Sequence, residues 1–302
     1  MASAAQKRIK SISYAKYGYL FILPFFLIYA IFQLWPLINT FILSFYGNGN
    51  RVIGKDIMTG QDLINETHND AFVGLDNFKA LLFGGKDEFD AATVQHEQFI
   101  KAFGNTLILW IGNFIPQIIL SLSLAVWFTD AKLKIMGKGF FKVVMYMPNI
   151  ITASSVAVLF LALCAQKGTV NQILNGMGFE SVDFINTTKA RGVVMFIQTW
   201  MWFGNTMIML MSGIMGISPS LFEAADIDGA SSSQTFWRIT LPLLSPIMVY
   251  TVVTSMIGGL QMFDIPFLFH NGTEVNDEIR TIAVYILQKY KNKNGSVSYT
   301  HL

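Results

Sequence analysis

Few side chains in this 302-residue chain have the type and spacing that covalent chemistry needs. Asp226 and Asp228 stand one residue apart before Gly229, the pattern that opens a metal-binding loop or a nucleotide-sugar Asp-x-Asp site. A calcium loop needs a further oxygen ligand at its fifth position and a Glu at its twelfth. Ala230 holds the fifth position, so no metal is expected. His68, His96, His270 and His301 recur at no ligand-like spacing, and the single cysteine, Cys164, lies in an apolar run that suits a buried structural thiol. The sequence holds no Ser-His-Asp or Cys-His arrangement and no Walker-A glycine loop ending in Gly-Lys-Ser/Thr. The reading is therefore a protein without catalysis or cofactor of its own.

The remaining chemistry is hydrogen bonding and stacking in apolar surroundings. Trp110, Asn113, Phe114 and Gln117 recur at three- and four-residue spacing, which places them on one helical face. Gln198, Trp202 and Asn205 repeat the pattern with Trp200 on another side, and Gln261 and Asp264 share a face farther on. Amides and a carboxylate offer hydrogen bonds to a polar ligand, and Trp or Phe offers a flat apolar face for stacking. Polar groups inside a membrane tend to face the bundle interior, which makes these nine residues the candidate lining of a substrate path. The same amides also suit helix-to-helix bonding, worth about 1 kcal/mol each. Trp35 and Trp127 fit the aromatic belt at a membrane interface.

The elements that must carry these groups follow from composition. The chain is 53% hydrophobic and only 13% charged, against about 25% charged in soluble domains. Its mean hydropathy is +0.47. Five stretches lack Asp, Glu, Lys and Arg: Tyr17–Asn50, Ala102–Thr129, Val143–Gln166, Gly192–Phe222 and Ile239–Phe263. Each is long enough to cross a bilayer, which takes about 20 apolar residues. The fold class is an all-α integral membrane protein, a polytopic helical bundle. Its spans are expected at about 17–45, 103–129, 140–165, 192–216 and 243–267. Pro24, Pro36, Pro116 and Pro148 interrupt them, a pattern tolerated where neighbouring helices satisfy the freed backbone groups. The first span is too long for a signal-peptide core and is expected to be retained.

Charge sets an orientation. Lys7, Arg8, Lys10 and Lys16 precede the first span without an acid, and Lys132, Lys134, Lys138 and Lys142 follow the second against Asp130 alone. Both segments belong in the cytoplasm by the positive-inside rule. The mixed loop 47–101, with nine acids and five bases, then lies outside. Alternation places 167–191 outside and Glu223–Arg238 inside. That inner segment is net acidic, against the rule, which suggests a role that outweighs topology. A net charge of +2 with no basic patch gives no sign of a nucleic-acid partner.

Glu223–Pro242 reads as two short helices around Gly229. Ser218-Pro219 offers an N-cap with Pro at the first helical position, and Ser220-x-x-Glu223 offers a capping box instead. Ser231–Ser233 caps a second half through Phe236, Trp237 and Ile239, with Pro242 allowing a change of direction. A solvated connector and a docking element for a cytoplasmic partner both fit.

The spacing Glu223-Ala224-Ala225, Gly229, Ile239 and Leu241-Pro242 resembles the signature loop of permease subunits in bacterial binding-protein-dependent ABC importers. Phe72–Phe78, Asn105-Thr106, Met147-Pro148 and Ile227–Ala230 are similar to the carbohydrate-uptake branch, and the resemblance covers roughly residues 17 to 290. It implies a transmembrane permease domain at 17–294, preceded by a cytoplasmic segment 1–16, with a coupling loop at 218–242. It also implies a carbohydrate substrate, a bacterial cytoplasmic-membrane location, and three kinds of partner: a second permease subunit, two ATP-binding subunits and an extracytoplasmic solute-binding protein. Glu223 would be the polar contact to the ATPase, Ala224 and Ala225 the close-packed face, and Asp228-Gly229 the bend before Leu241-Pro242. Relatives carry a sixth span where this chain reaches Gly295–Leu302, so a truncated or foreign tail is expected there, with a natural five-span variant as the alternative. Rival readings are an importer for a polyamine or phosphate, a membrane-embedded enzyme using Asp226 and Asp228, and an ion-driven secondary transporter.

Overall fold

A computed structural model describes residues 15–55, 62–85, 91–130, 133, 136–270 and 275–293, and among these the side chains of 15–16, 48–55, 62–71, 91–92 and 291–293 are left undescribed. The first basic cluster around Lys7 and the tail 295–302 lie outside the described residues. The single domain expected at 17–294 divides into two compact units, 1–97 and 98–302.

In the first unit, α1 (Ala15–Tyr29) and α2 (Trp35–Leu43) are joined by a π-helical turn, Ala30–Leu34. Pro36 follows that turn. Proline supplies no N–H, and its ring crowds the carbonyl four residues back, so a wider turn just ahead relieves both problems. The polar stretch that follows forms an antiparallel hairpin, β1 (Tyr46–Lys55) with β2 (Asp62–Phe72), an element that helical periodicity could not announce. A turn then leads into α3 (Asp76–Phe83). Asn77 Nδ2 donates to the carbonyls of Ser44 at 2.9 Å and Tyr46 at 3.0 Å, tying α3 to the start of the hairpin.

The second unit begins in α4 (Ala91–Thr129) and continues through α5 (Lys138–Ile150), α6 (Ala153–Cys164), α7 (Thr169–Gly176) and α8 (Lys189–Met215). It ends with α9 (Pro219–Ile227), α10 (Ser232–Thr235), α11 (Leu241–Leu260), α12 (Asp264–Leu268) and α13 (Ile282–Lys293). Among the described residues, five helical segments are long and apolar enough to cross a membrane: Tyr17–Leu43, Thr93–Thr129, Ala153–Gly176, Lys189–Met215 and Ser232–Leu268.

The third expected span, 140–165, is not one helix. α5 stops two residues after Pro148, Ile151 turns extended, and Thr152 caps α6 by accepting from Ser155 N–H at 3.5 Å. Proline removes one backbone bond, and a capping Thr directly after it makes a restart cheaper than continuation.

α8 is the centre of the bundle. Its first half joins a core with Val156, Ile185, Ile265, Phe269 and Ile279, and its second half joins another with Leu124, Phe128 and Leu244. It runs parallel to α4, since Asn105 meets Arg191, Asn113 meets Thr199 and Ser121 meets Phe203. Gly204 permits the crossing with α5: a Cβ there would collide with the Met145 carbonyl and lie 2.9 Å from Tyr146 Cα. Small residues at helix crossings let backbones approach where lipid offers no hydrophobic drive.

Candidate functional site

A cavity of about 410 Å³ is walled by α4, α8, α11 and the Gln261–Ile265 segment. Trp110, Asn113 and Gln117 reach it from α4, and Gln198, Trp202 and Asn205 from α8. Gln261 and Asp264 complete the set, so eight of the nine residues singled out above share one wall. Phe114 does not; its ring stacks on the Trp110 ring with centroids 6.1 Å apart. Trp200, read as lying on another side, meets Phe160 at 5.8 Å. Gln261 and Asp264 also do not share a helical face. α11 ends at Leu260, Gln261 is its C-cap, and Asp264 opens α12 after the non-helical Phe263.

Two of the amides have structural work. Gln117 Nε2 donates to Thr206 Oγ1 at 2.8 Å, and Asn113 Nδ2 to the Leu109 carbonyl at 2.8 Å, both buried. Trp110 Nε1 donates to Ser255 Oγ at 3.1 Å, tying α4 to α11. Gln198, Asn205, Gln261 and Asp264 make no side-chain hydrogen bond among the described residues, which leaves their amides and carboxylate available to a ligand. Sequence reasoning missed Thr251, Thr254, Ser255 and Gly258, which bring hydroxyls and a gap to the wall from α11. Their spacing of three, four and seven residues was a legible signal, since it marks one face of a helix.

Above α4 and α8 sits a charged clasp that the sequence did not suggest. Arg191 Nη2 meets Glu278 Oε2 at 2.8 Å and Asn105 Oδ1 at 2.7 Å, and its Nε donates to the Glu278 carbonyl at 2.9 Å. Asn105 Nδ2 donates to the Asp277 carbonyl at 2.6 Å. Lys101 approaches Glu278 at 3.3 Å, and Arg280 pairs with Asp277 at 3.0 Å. Thr281 Oγ1 donates to the Met262 carbonyl at 2.7 Å, fixing the turn that carries Gln261 and Asp264. Beside the clasp, Asn186 and Ile185 N–H groups donate to Asp183, with the Asn186 backbone bond the largest influence, and they hold its carboxyl below the usual range.

The second feature is the segment 218–242. α9 starts at Pro219 with Ser218 in the N-cap position, although the Ser218 hydroxyl bonds Ser220 Oγ at 2.8 Å rather than a backbone N–H. The capping box falls later, at Ser231 and Gln234, with Ser231 N–H to Gln234 Oε1 at 2.8 Å and Gln234 N–H to Ser231 Oγ at 3.3 Å. Between them Gly229 takes φ +70°, Ala230 N–H reaches Ala225 O at 2.9 Å and Gly229 N–H reaches Asp226 O at 3.1 Å. This is a Schellman corner, which needs a left-handed residue that only glycine adopts freely.

Pro242 brings no change of direction. A π-helical turn, Phe236–Thr240, joins α10 to α11 without a break, the same accommodation seen ahead of Pro36. Glu223, Ala224, Asp228, Gly229 and Pro242 are exposed, Leu241 is half-buried and Ala225 turns inward. Ile227 is 86% exposed and Trp237 61%, an apolar surface on a polar segment.

Residues 109–285 match the family described as "Binding-protein-dependent transport system inner membrane component". The chain belongs to this family. It is a transport-system permease component and not an enzyme, and it is an integral membrane protein. It is 27% identical over 95% of its length to the arabinooligosaccharides transport system permease protein AraP of Bacillus subtilis (strain 168), covering 83% of that protein. The lactose transport system permease protein LacF of Rhizobium radiobacter is 27% identical over 95% of this chain and 87% of its own. The multiple sugar-binding transport system permease protein MsmF of Streptococcus mutans is 29% identical over 78% of this chain and 76% of its own. In fold, the chain is similar to a chain of a bacterial ABC transporter that imports the acidic polysaccharide alginate. That likeness has a TM-score of 0.70 at 23% identity, covering 92% of this chain and 85% of the other. A second such structure, with a TM-score of 0.65 at 23% identity and coverage of 92% and 84%, is in complex with an alginate pentasaccharide-bound periplasmic protein.

Proposed function

We propose that this permease forms half of the translocation path of an ATP-driven sugar importer, with the cavity taking the sugar and the segment 218–242 docking a separate ATPase. The observation that carries the reading is the cavity wall. Amides with no side-chain partner among the described residues, hydroxyls and two tryptophans converge there within an otherwise apolar bundle, the chemistry a glycoside needs on its polar rim and its apolar face. Named sugar permeases among the relatives support the same cargo class.

A second permease closes the open side of the path, two ATP-binding subunits supply energy, and an extracytoplasmic binding protein delivers cargo. The protein sits in the bacterial cytoplasmic membrane with its N-terminus and Glu223–Arg238 inside, by the charge rule for the first and by alternation for the second. ATP-driven closure of the ATPase pair then biases a two-state bundle through the rigid corner at Gly229.

Co-purification with the ATPase and sugar uptake by the reconstituted importer test this, comparing the parent with Glu223→Lys and Gly229→Pro. Both variants are expected to lose ATPase association or uptake while the permease remains folded. Unchanged association and uptake in both would remove the coupling assignment. Uptake of no sugar by an importer that still couples ATP hydrolysis to its binding protein would remove the cargo assignment.

A further inference from the structure

Building on the sugar reading, we infer that Asp264 sets the charge class of the cargo, so that the path admits neutral and amine-bearing glycosides and rejects uronic acids. Among the described residues that line the cavity, Asp264 carries the one formal charge, and none is Lys, Arg or His. Its carboxylate is exposed where α12 begins and has no hydrogen-bond or ion-pair partner among the described residues. Three cations at the same end of the bundle are already engaged elsewhere. Lys101, Arg191 and Arg280 already face Asp277 and Glu278 in the clasp.

A charge beside apolar walls acts through a lower effective dielectric than water, so it repels a like charge strongly at a few ångströms. A sugar hydroxyl or ammonium donates to Asp264 in a charge-assisted bond. A uronate brings a second carboxylate and, on this wall, meets no cation to pair with. Neutral amides such as Gln198 and Asn205 can bond either kind of sugar, so discrimination by charge falls to Asp264 alone. An acidic cargo like the alginate of the fold neighbours is thus a poor fit here, despite the shared fold.

The test uses the full chain assembled with its partner permease and ATPase subunits. Tryptophan emission is followed, because Trp110 and Trp202 lie on the wall, during titration with maltotriose, a glucosamine trimer, trigalacturonate and spermidine. In the parent, trigalacturonate is expected to half-saturate at a concentration at least tenfold above maltotriose. Asp264→Asn is expected to shrink that gap to threefold or less and to weaken the glucosamine trimer, while Asp264→Glu keeps the gap. Asp264→Ser provides a second neutral variant should the amide variant fail to assemble. Equal binding of maltotriose and trigalacturonate by the parent, or a gap that survives both neutral variants, overturns the inference. If spermidine alone binds and loses affinity in Asp264→Asn, the sugar reading falls while the charge role stands. If no probe binds the parent, both fall.

Discussion

The segment 218–242 and the cavity wall are held together over very different distances along the chain. Around Gly229 the shaping bonds span three to five residues: Gly229 to Asp226, Ala230 to Ala225, and Ser231 with Gln234. Around the cavity they span 82 residues from Ser121 to Phe203, 89 from Gln117 to Thr206 and 145 from Trp110 to Ser255. A locally bonded motif can keep its shape whatever the rest of the bundle does. The wall exists only when three helices are in register. A transporter needs both, a rigid handle for its energy source and a path whose walls can be rearranged by moving helices.

Substitutions can separate the two regions. The largest effect is expected from Gly204→Leu, which forces a side chain into the α5 backbone at Met145 and Tyr146. Overpacking of this kind costs about 3 kcal/mol. Thermal unfolding of the purified complex should drop by several degrees with loss of sugar binding, and an unchanged melting profile would mean that α5 and α8 do not meet there.

Next comes Arg191→Ala, which strips the clasp of its central cation and leaves Glu278 and Asn105 without it. Loss of hydrogen bonds to a charged group costs about 2 kcal/mol. Because the clasp fixes the turn bearing Gln261 and Asp264, the half-saturating sugar concentration should rise more than the maximal uptake rate falls. A fall in rate alone would make the clasp a stabiliser only.

Gly229→Val should invert that pattern. A left-handed non-glycine residue costs about 1–2 kcal/mol, confined to the corner. Sugar binding should be kept while sugar-stimulated ATP hydrolysis is lost, and lost binding with intact coupling would break the division drawn here. Gln117→Leu removes one buried bond to Thr206, worth about 1 kcal/mol. Its expected result is a small loss of stability with coupling untouched.

The smallest effect is expected from Asp183→Asn, read as the pH dependence of unfolding. The folded carboxyl titrates below its unfolded value, so its contribution is present above about pH 4 and is lost as pH falls through the lowered folded value. Asp183→Asn should lower stability slightly at neutral pH and flatten the acid limb between the two. An unchanged acid limb would show that the bonds to Asn186 and Ile185 are not kept in solution.

Much of both regions was legible before the fold. Apolar runs marked the helices, because a bilayer demands about 20 apolar residues wherever a helix crosses it. Polar residues at helical spacing marked the faces of α4 and α8, and eight of nine reached the cavity. Phe114 failed because spacing gives a face some 100° wide, and only the neighbouring helix decides which edge of it is open. The hairpin at 46–72 and the clasp at Arg191 were not legible, since each depends on a partner that no local pattern names.

By itself, the sequence determined the membrane class and the corner at Gly229, because the first follows from composition and the second from interactions within one helical turn. Tertiary structure alone decided that the third span breaks at Ile151-Thr152, that Pro242 continues a helix through a π-turn, and that Asp264 has no partner and no neighbouring cation on the cavity wall among the described residues. Those outcomes turn on competition: a backbone bond against a cap, a ring clash against a wider turn, one carboxylate against Glu278 and Asp277 for the arginines. Such balances are settled only when helices distant in sequence are brought side by side.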